Sequence, residues 1–483
     1  MPSKKKSQKN PIFQSIKIGK VVIKNRFARS ATHEWLCEDD GTPKPQLGGL
    51  LETLAKGGVG LIMTGYAYVN PRGQASKGQN AIYNDELIEP HSKMVERVHR
   101  HGAKIFLQIV HGGRQAEVAQ EKFHECLAPS AVPDLINDMH PRQMSVDEIL
   151  ATIVDFVSAA RRAKAAGYDG VQLHVAHGFL LSSFISPHTN RRTDEWGGNL
   201  ENRARIIVEI IRGIRDKVGP DFPVIAKINA TDGFSEEGKG LKVGEAADIA
   251  KILAAEGLKA IEVSAGIWES ETKSSQVGIV DESSEGYFLD YAVRIKSELD
   301  IPVLCVGGFR SLSVMNAAIT DGKCDMISIS RPFIREPDLI NKFQSGKSMK
   351  AECISCNKCF NEKGVRCHYR TEPVQKENLP VLVETAMVPS EKGKKRSLPM
   401  ATVSGLGVIQ KAFQTSRSNI KKRRSERRKR IMAIRKPLKK IIKRVKKLRP
   451  LKRKLIKRPS LKKAFKPKIR RKIKPLRPRS KKR

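Results

Sequence analysis

The sequence contains no apolar run of about 18 residues, the length that a helix needs to cross a bilayer. Its basic first residues, MPSKKKSQKNPIF, are not followed by the apolar stretch that an export signal requires. Only eight of the 483 residues are cysteines, and four of these lie between Cys353 and Cys367. Such crowding favours a metal or cluster site over a disulfide framework. We therefore expect a cytoplasmic protein.

Acidic residues are scarce in one part of the chain only. The formal net charge is +41, which by itself suggests a nucleic-acid binder. Residues 391–483, however, contain 41 of the 91 Lys and Arg residues and only two acidic residues. The remainder, with 50 basic and 48 acidic residues, is nearly neutral and has the composition of an ordinary globular domain.

The first 330 residues alternate short apolar segments with amphipathic helical patterns. The predicted strands are residues 26–31, 60–65, 104–109, 170–175, 223–228, 260–265, 302–307 and 325–330. Eight strands that alternate with helices predict an α/β fold, a closed parallel (β/α)8 (TIM) barrel. In such barrels the chemistry lies at the C-terminal ends of the strands. We assign residues 1–375 to the barrel, which ends in the Cys-rich segment 353–367, and residues 376–483 to a linker and a disordered basic tail.

The segment from Gly170 to Arg205 has the most specific pattern. An apolar strand ends in His174 and His177, and a long loop rich in Pro, Asn, Arg, Asp and Gly follows. Loops longer than about 12–15 residues in a compact domain are usually functional or disordered, so this one is expected at an active-site rim. The pattern HxxHG followed by SPxxNxRxDxxGGxxENR resembles the signature of the old yellow enzyme family of FMN-dependent ene-reductases. The phrases RSAT, VGGFRS and CISCNKC are similar to its NADH:flavin oxidoreductase branch.

Two loops near the end of the predicted barrel suggest a phosphate site. Gly307 and Gly308 follow the seventh strand, while Ser330 and Arg331 follow the eighth and precede a short helix. The loops after these strands are the usual phosphate site of this fold. A tight turn would also explain the glycine pair. The resemblance implies that these residues hold the FMN phosphate, with Ser330 at a position where the family usually has glycine.

The resemblance implies further flavin contacts. Ser30, Ala31, Thr32 and His33 belong to the first-strand segment that faces the isoalloxazine ring, and Gly65 follows the second strand. Gln108 would bond the flavin pyrimidine, because a carboxamide offers both a donor and an acceptor. Lys227 stands near flavin N1, where a cation stabilises the negative charge of the reduced ring. A solvated surface charge is the alternative for Lys227.

The resemblance also implies the catalytic residues. His174 and His177 would hydrogen-bond a carbonyl oxygen conjugated to the reacting C=C bond, as an oxyanion hole does. The family commonly has a proton-donating Tyr where this chain has Phe179. Tyr66, Tyr287, Glu34 or water could replace it, or hydride acceptance does not end in alkene reduction. His33 stands where the family usually has Cys or Thr.

The cluster C-x2-C-x2-C comprises Cys353, Cys356 and Cys359, and Cys367 follows it. This run resembles the ligands of a [4Fe–4S] cluster, which some family members bind here. A structural zinc site and free thiols are the alternatives.

Two functions remain. The first is an FMN-dependent, NAD(P)H-driven reductase of a small electrophile such as an activated alkene. The second is a flavin barrel of the tRNA dihydrouridine synthase type, whose basic tail binds RNA. The second needs a catalytic Cys in a loop resembling N-x-G-C-P, which the sequence lacks. In either case the tail is expected to bind a polyanion, either RNA, DNA or an anionic membrane surface, without sequence preference. The alternative is that the tail is a solvating appendage without a specific partner. The sequence leaves open whether the chain forms a homo-oligomer.

Overall fold

The computed structural model describes residues 10–279, 281–360, 362 and 364–368. The strands are β1 (Ile16–Ile18), β2 (Val21–Ile23), β3 (Phe27–Arg29), β4 (Leu61–Met63), β5 (Ala67–Tyr68), β6 (Lys104–Val110), β7 (Leu127–Ala128), β8 (Arg142–Gln143), β9 (Gly170–Val175), β10 (Val224–Asn229), β11 (Ile261–Ser264), β12 (Val303–Val306) and β13 (Met326–Ile329). The helices are α1 (Pro45–Lys56), α2 (Ile88–His99), α3 (Glu117–Phe123), α4 (Val146–Ala165), α5 (Leu180–Ile185), α6 (Leu200–Val218), α7 (Val243–Ala255), α8 (Leu289–Lys296), α9 (Leu312–Thr320), α10 (Arg331–Arg335) and α11 (Leu339–Gln344).

Eight of these strands form a closed parallel barrel. Their order is β4-β3-β13-β12-β11-β10-β9-β6, and a further pairing between β6 and β4 closes the ring. Each of the eight overlaps one of the predicted strands, so the predicted (β/α)8 fold is confirmed. The predicted boundary near residue 375 and the basic tail lie outside the described residues.

A hairpin that the sequence did not predict covers the N-terminal end of the barrel. β1 pairs antiparallel with β2, and each has only three residues. Ile18 and Ile23 from this hairpin are fully buried against inward-facing barrel residues. These barrel residues include Ala28, Leu61, Met63, Phe106, Ile225, Leu304 and Met326. The N-terminal half of the interior is therefore apolar and sealed from water.

The inward face of the barrel changes character one layer higher. Side chains in a strand alternate between its two faces, so the next inward position after Ile225 is Lys227, and the next after Phe106 is Gln108. Gln172 and Glu262 occupy the matching layer of β9 and β11, because Gln172 pairs with Gln108 and Glu262 with Lys227 in register. A polar layer thus lies directly above the apolar one, at the end of the barrel where the active site is expected.

Among the helices of the described residues, none combines the length and apolar character that a membrane span requires. The predicted helical patterns are present as α1, α2, α6 and α7. Their apolar residues pack against the outside of the barrel strands in the main hydrophobic core.

Candidate active site

A cavity of about 210 Å³ opens at the C-terminal ends of the barrel strands. Most of the residues that the sequence suggested line it: Ser30, Ala31, Thr32, His33, Gln108, His174, His177, Lys227, Gly308, Ser330 and Arg331. Gly65 and Gly307 do not line it. They directly precede two residues that do, Tyr66 and Gly308. The amide of Gly65 is occupied, since it donates to Oε1 of Glu34 at 3.0 Å.

One end of the cavity carries the glycine and arginine residues expected of an anion site. Gly308 has a φ of +72°, and a Cβ atom there would lie 2.7 Å from the Tyr287 ring, so only glycine fits. Arg331 lines the cavity, and its Nη1 atom donates to Oδ1 of Asn357 at 2.7 Å. Arg310, which the sequence did not single out, is buried here and lines the same cavity. In the sequence, the only indication of this role is that Arg310 follows the glycine pair by two residues.

Lys227 is buried and paired rather than solvated. Its Nζ atom donates to Oγ of Ser30 at 2.8 Å and lies 3.4 Å from Oε1 of Glu262. Oε1 of Glu262 also accepts from the hydroxyls of Ser30 and Ser328, both at 2.7 Å. Burial lowers the pKa of Lys227, while the Glu262 carboxylate opposes that shift. Glu262 has no exposed surface, and in the sequence it stands out only as one charge in an apolar strand.

A hydrogen-bonded row of amides extends this network across the barrel. Nε2 of Gln108 donates to Oε1 of Gln172 at 2.8 Å, and Nε2 of Gln172 donates to Oε2 of Glu262 at 2.8 Å. Gln108 is thereby fixed at the cavity wall, with its amide oriented through Gln172 by a buried carboxylate. This arrangement can recognise a flat heterocycle with adjacent donor and acceptor groups.

The two histidines stand side by side in the cavity wall. Their ring centroids are 5.2 Å apart with an interplanar angle of 86°. Nε2 of His177 lies 2.8 Å from Oγ of Ser264, and the backbone amide of His177 donates to Oδ1 of Asn229 at 3.1 Å. Nδ1 of His174 is buried and has no hydrogen-bond partner among the described residues. A buried polar atom without a partner is costly, so a bound ligand or water is expected beside this ring.

Both imidazoles are neutral at physiological pH. Burial, reinforced by the charge of Lys227, lowers the pKa of His177 to about 3. Burial and the neighbouring His177 lower the pKa of His174 well below its usual value. A neutral imidazole keeps one N–H donor, so each ring can donate a hydrogen bond to a ligand oxygen without carrying a charge.

Aromatic side chains form the rest of the wall near the histidines. The Phe179 ring lies 4.8 Å from the His174 ring and 5.3 Å from the Tyr66 ring, measured between centroids. Trp35 and Trp268 also line the cavity. This end of the cavity suits a planar, apolar molecule with one polar acceptor.

The sequence suggested that the long polar loop forms the cavity rim, but in the structure this loop follows α5 and lies away from the cavity wall. Residues 186–199 supply no side chain to the cavity wall. Asn190 is instead buried and donates to the carbonyls of Phe184 and Trp196 at 2.7 and 2.8 Å. Buried Arg192 donates to the carbonyl of Met144 at 2.7 Å. The polar residues of this motif satisfy backbone groups and hold the loop against the barrel.

The Cys-rich segment packs beside the anion end of the cavity. Cys353, Cys356, Cys359 and Cys367 line one small second cavity, together with Arg331 and Arg335. Burial raises the pKa of Cys359 to about 12. Within the described part of the chain, no group of three or more His, Cys, Asp or Glu side chains is arranged to hold a metal ion. The segment also contributes Phe360 to the wall of the main cavity.

The main cavity fits FMN on three observations. Two arginines and a glycine that tolerates no side chain lie at one end, which suits a phosphate. Gln108 and Lys227 lie in the polar layer, which suits the pyrimidine edge of the ring. The buried Nδ1 of His174 has no hydrogen-bond partner among the described residues, and a bound ligand would supply one.

Comparison with known proteins supports the same conclusion. Residues 11–350 match the model of the NADH:flavin oxidoreductase / NADH oxidase family. An NADH oxidase from Thermoanaerobacter brockii is 36% identical over 364 residues, which cover 74% of this chain and 55% of that protein. An NADPH dehydrogenase from Bacillus subtilis is 32% identical over 327 residues, covering 68% and 92% of the two chains.

Two further relatives carry more specific names. A cinnamate reductase from Clostridium sporogenes is 32% identical over 370 residues, covering 73% of this chain and 55% of that protein. The structure of a 2-naphthoyl-CoA reductase complex is 29% identical with a TM-score of 0.68, covering 72% and 54%. The chain thus spans about half the length of the NADH oxidase and of the cinnamate reductase.

Proposed function

Because the chain belongs to the NADH:flavin oxidoreductase / NADH oxidase family, we propose that it is an FMN-dependent oxidoreductase that passes hydride from NAD(P)H to an activated alkene or a related electrophile. Hydride transfer is the chemistry that a bound flavin supplies. The observation that carries the proposal is the pair of neutral histidines, His174 and His177, in the wall of a cavity whose other end carries Arg310 and Arg331.

The chain divides its contacts with FMN between the two ends of the cavity. Gly308, Ser330 and the two arginines would hold the phosphate. Gln108 would bond the pyrimidine edge, and Lys227 would place a positive charge near N1. Glu262 partly neutralises that charge, because it is ion-paired with Lys227 inside the barrel.

The histidine pair would bind the carbonyl oxygen of the substrate. When hydride reaches the β-carbon, negative charge develops on this oxygen. Donors fixed in advance stabilise such a charge more than mobile water does, because they need no reorganisation during the reaction. Ser264 and Asn229 hold His177 for this role, and the packing of Phe179 against His174 limits the movement of that ring.

The aromatic wall favours a planar, conjugated substrate. Trp35, Tyr66, Phe179 and Trp268 offer apolar surface on which a flat unsaturated carbonyl compound can stack. Cinnamate reductase and 2-naphthoyl-CoA reductase are named for conjugated acyl compounds, which fits an enone or enoyl-type substrate. The dihydrouridine synthase alternative lacks its catalytic thiol, since no cysteine among the described residues lines the main cavity.

The test of this function begins with the purified full chain. Heat-released cofactor should be FMN, and NADH or NADPH should bleach the bound flavin under anaerobic conditions. Enones, nitroalkenes and enoyl-thioesters are then added in turn, and reoxidation is followed by absorbance. FAD, no flavin at all, or a reduced flavin that none of these alkenes reoxidises would contradict the proposal.

We propose further that Cys353, Cys356, Cys359 and Cys367 bind a [4Fe–4S] cluster. Their spacing and their shared cavity beside Arg331 support this. Zinc and free thiols are the competing states. Anaerobically prepared protein with a cluster should contain about four iron and four sulfide per chain and absorb near 400 nm beyond the flavin bands. Zinc alone, or no metal, would contradict the cluster.

For the basic tail, we propose nonspecific binding to RNA, DNA or an anionic membrane surface. The support comes from the composition, because residues 391–483 contain 41 Lys and Arg residues but only two acidic residues. Phe413 and Phe465 are the aromatic residues there, so base stacking contributes little and electrostatic attraction dominates.

A further inference from the structure

Tyr66 places a phenol on the same wall as the histidine pair. It follows β4 and lines the main cavity, and its ring centroid lies 6.2 Å from that of His174. It is also 5.3 Å from the ring of Phe179, the residue that lacks a hydroxyl where the resembling family has a tyrosine. The Tyr66 phenol therefore lies next to Phe179, the position at which the family has its proton-donating tyrosine.

We propose that Tyr66 donates the proton that completes alkene reduction. This inference rests on the proposed function. Hydride from NAD(P)H, passed through FMN, forms a C–H bond at the β-carbon and leaves an enolate whose oxygen is held by the histidine pair. The O–H bond of Tyr66 then breaks, a C–H bond forms at the α-carbon, and the tyrosinate regains a proton from water through Ser76, whose hydroxyl passes one proton to Tyr66 and takes one from water. The substrate gains one hydride and one proton, and NAD(P)H is oxidised to NAD(P)⁺.

A row of hydrogen bonds leads from this phenol towards solvent. Oη of Tyr66 lies 3.2 Å from Oγ of Ser76, and Oγ of Ser76 lies 3.0 Å from Nε2 of His33. Ser76 is partly exposed, and the next residue, Lys77, is exposed. Each group in the row can both donate and accept, so a proton lost from Tyr66 can be replaced from water without opening the cavity.

Gln79 fixes the geometry of this row. It has no exposed surface, and its Oε1 accepts from the backbone amides of Ala75 and Ser76 at 2.7 and 3.2 Å. Its Nε2 donates to the carbonyl of Tyr66 at 3.3 Å. One buried side chain thus holds the Ser76 loop and the Tyr66 backbone together. Gln79 is accordingly a positioning residue for the relay.

The protonation states agree with this role. Burial raises the pKa of Tyr66 to about 12, so the phenol is protonated and able to donate at neutral pH. Burial lowers the pKa of His33 to about 3, so its ring is neutral and has one donor and one acceptor nitrogen.

The other candidate donors are placed less well. Glu34 is ion-paired with Arg29 at 2.8 Å, both side chains are buried, and Glu34 does not line the cavity. Tyr287 lines the cavity but packs against Gly308, at the anion end.

In the test, flavin reduction and flavin reoxidation are measured separately in the full-length holoenzyme carrying Tyr66→Phe. The rates of flavin reduction by NAD(P)H and of reoxidation by a quinone, which needs no proton at carbon, are the references for the alkene step in the same variant. Reoxidation by 2-cyclohexenone should slow by roughly 10²–10⁴-fold, the usual contribution of a general acid. Ser76→Ala should slow steady-state alkene turnover less than Tyr66→Phe does and enlarge its solvent deuterium isotope effect, because reprotonation of the tyrosinate then limits turnover.

Three further variants make the result specific. Tyr66→Phe combined with Phe179→Tyr should regain alkene reduction, whereas Tyr83→Phe, which changes a tyrosine outside the cavity, should behave as the wild type. Unchanged alkene reduction by Tyr66→Phe would overturn the inference, as would an equal loss with quinone. A loss seen in Tyr287→Phe instead would assign the proton to the other phenol. A wild-type enzyme that reduces no alkene would contradict the proposed function itself.

Discussion

Nζ of Lys227 lies 3.4 Å from Oε1 of Glu262, and both side chains are buried inside the barrel beneath the main cavity. The pair is the charged centre of the polar layer, because Ser30, Ser328 and Gln172 all hydrogen-bond to the same carboxylate. It places a cation next to the proposed flavin site without leaving an unpaired charge in the interior.

Glu262→Gln tests how far the fold depends on this pair. The variant leaves Lys227 buried without its counter-charge, and breaking a buried pair costs about 3–5 kcal/mol of unfolding free energy. Urea titration of the wild type and variant measures the loss. Asp221→Asn is the matched control, because its pair with Lys20 at 2.8 Å is exposed and should contribute little. Equal effects of the two changes would contradict the assignment.

Replacing the histidine pair tests the substrate site. His174→Ala and His177→Ala should each lower alkene reduction by roughly 10²–10³-fold, because each removes one donor to the developing oxyanion. Flavin content should stay at the wild-type level, and His177→Asn should lose less, since a carboxamide still donates. His140→Ala, at an exposed site, serves as the control. Unchanged turnover in both alanine variants would refute the proposed site.

Acid should destabilise the barrel through its buried histidines. Burial lowers the pKa of His91 and His111 to about 4 each, whereas an unfolded histidine titrates near 6.5. The unfolded state therefore binds protons first as the pH falls, and stability is lost between about pH 6.5 and 4. Each of these two histidines should lower the free energy of unfolding by about 1.3 kcal/mol when the pH falls from 7.5 to 5.5.

Urea titrations at those two pH values measure this loss. His91→Gln should reduce the pH dependence by one histidine's share, because it removes one proton-binding group from the unfolded state. His140→Gln should leave the pH dependence unchanged. A stability that does not vary between the two pH values would contradict the neutral, buried state of these rings.

The strands and much of the site could be predicted because their signals are local. Apolar segments alternating with amphipathic helices predict a parallel barrel, and residues at strand ends predict the cavity. Glu262 was missed, because one charge in an apolar strand resembles a surface position until its partner Lys227 is seen across the barrel. The β1–β2 hairpin was missed, because three-residue strands carry too little periodicity.

The polar loop between α5 and α6 shows the opposite error. Its polar residues suggested an active-site rim, yet Asn190 donates to the carbonyl of Phe184 in α5 and Arg192 to that of Met144 before α4. A sequence shows that a polar group is present, but its partner depends on the fold. Arg310 was overlooked for the same reason, since its approach to the cavity follows from the path of the chain after β12.

Truncation separates the tail from the enzyme. A chain ending near Lys392 should keep FMN and alkene reduction, because every residue proposed for the site precedes this point. The full chain should bind duplex DNA or anionic vesicles with a steep salt dependence, about −0.9 in log–log slope per phosphate contact on duplex DNA. The truncated chain should lose that binding. Equal polyanion affinity in both forms, or loss of FMN on truncation, would contradict the separation.

Isotope labelling follows the hydride from the nicotinamide to the carbon atom of the substrate that receives it. The full-length enzyme is given NADH or NADPH deuterated at the transferred position of nicotinamide C4, with 2-cyclohexenone in ordinary water, and the product is analysed by NMR. We expect one deuterium at the β-carbon, and in the converse experiment, with unlabelled cofactor in D2O, deuterium at the α-carbon. Reduced product without cofactor-derived deuterium at the β-carbon, or oxidised cofactor without any reduced alkene, would contradict it.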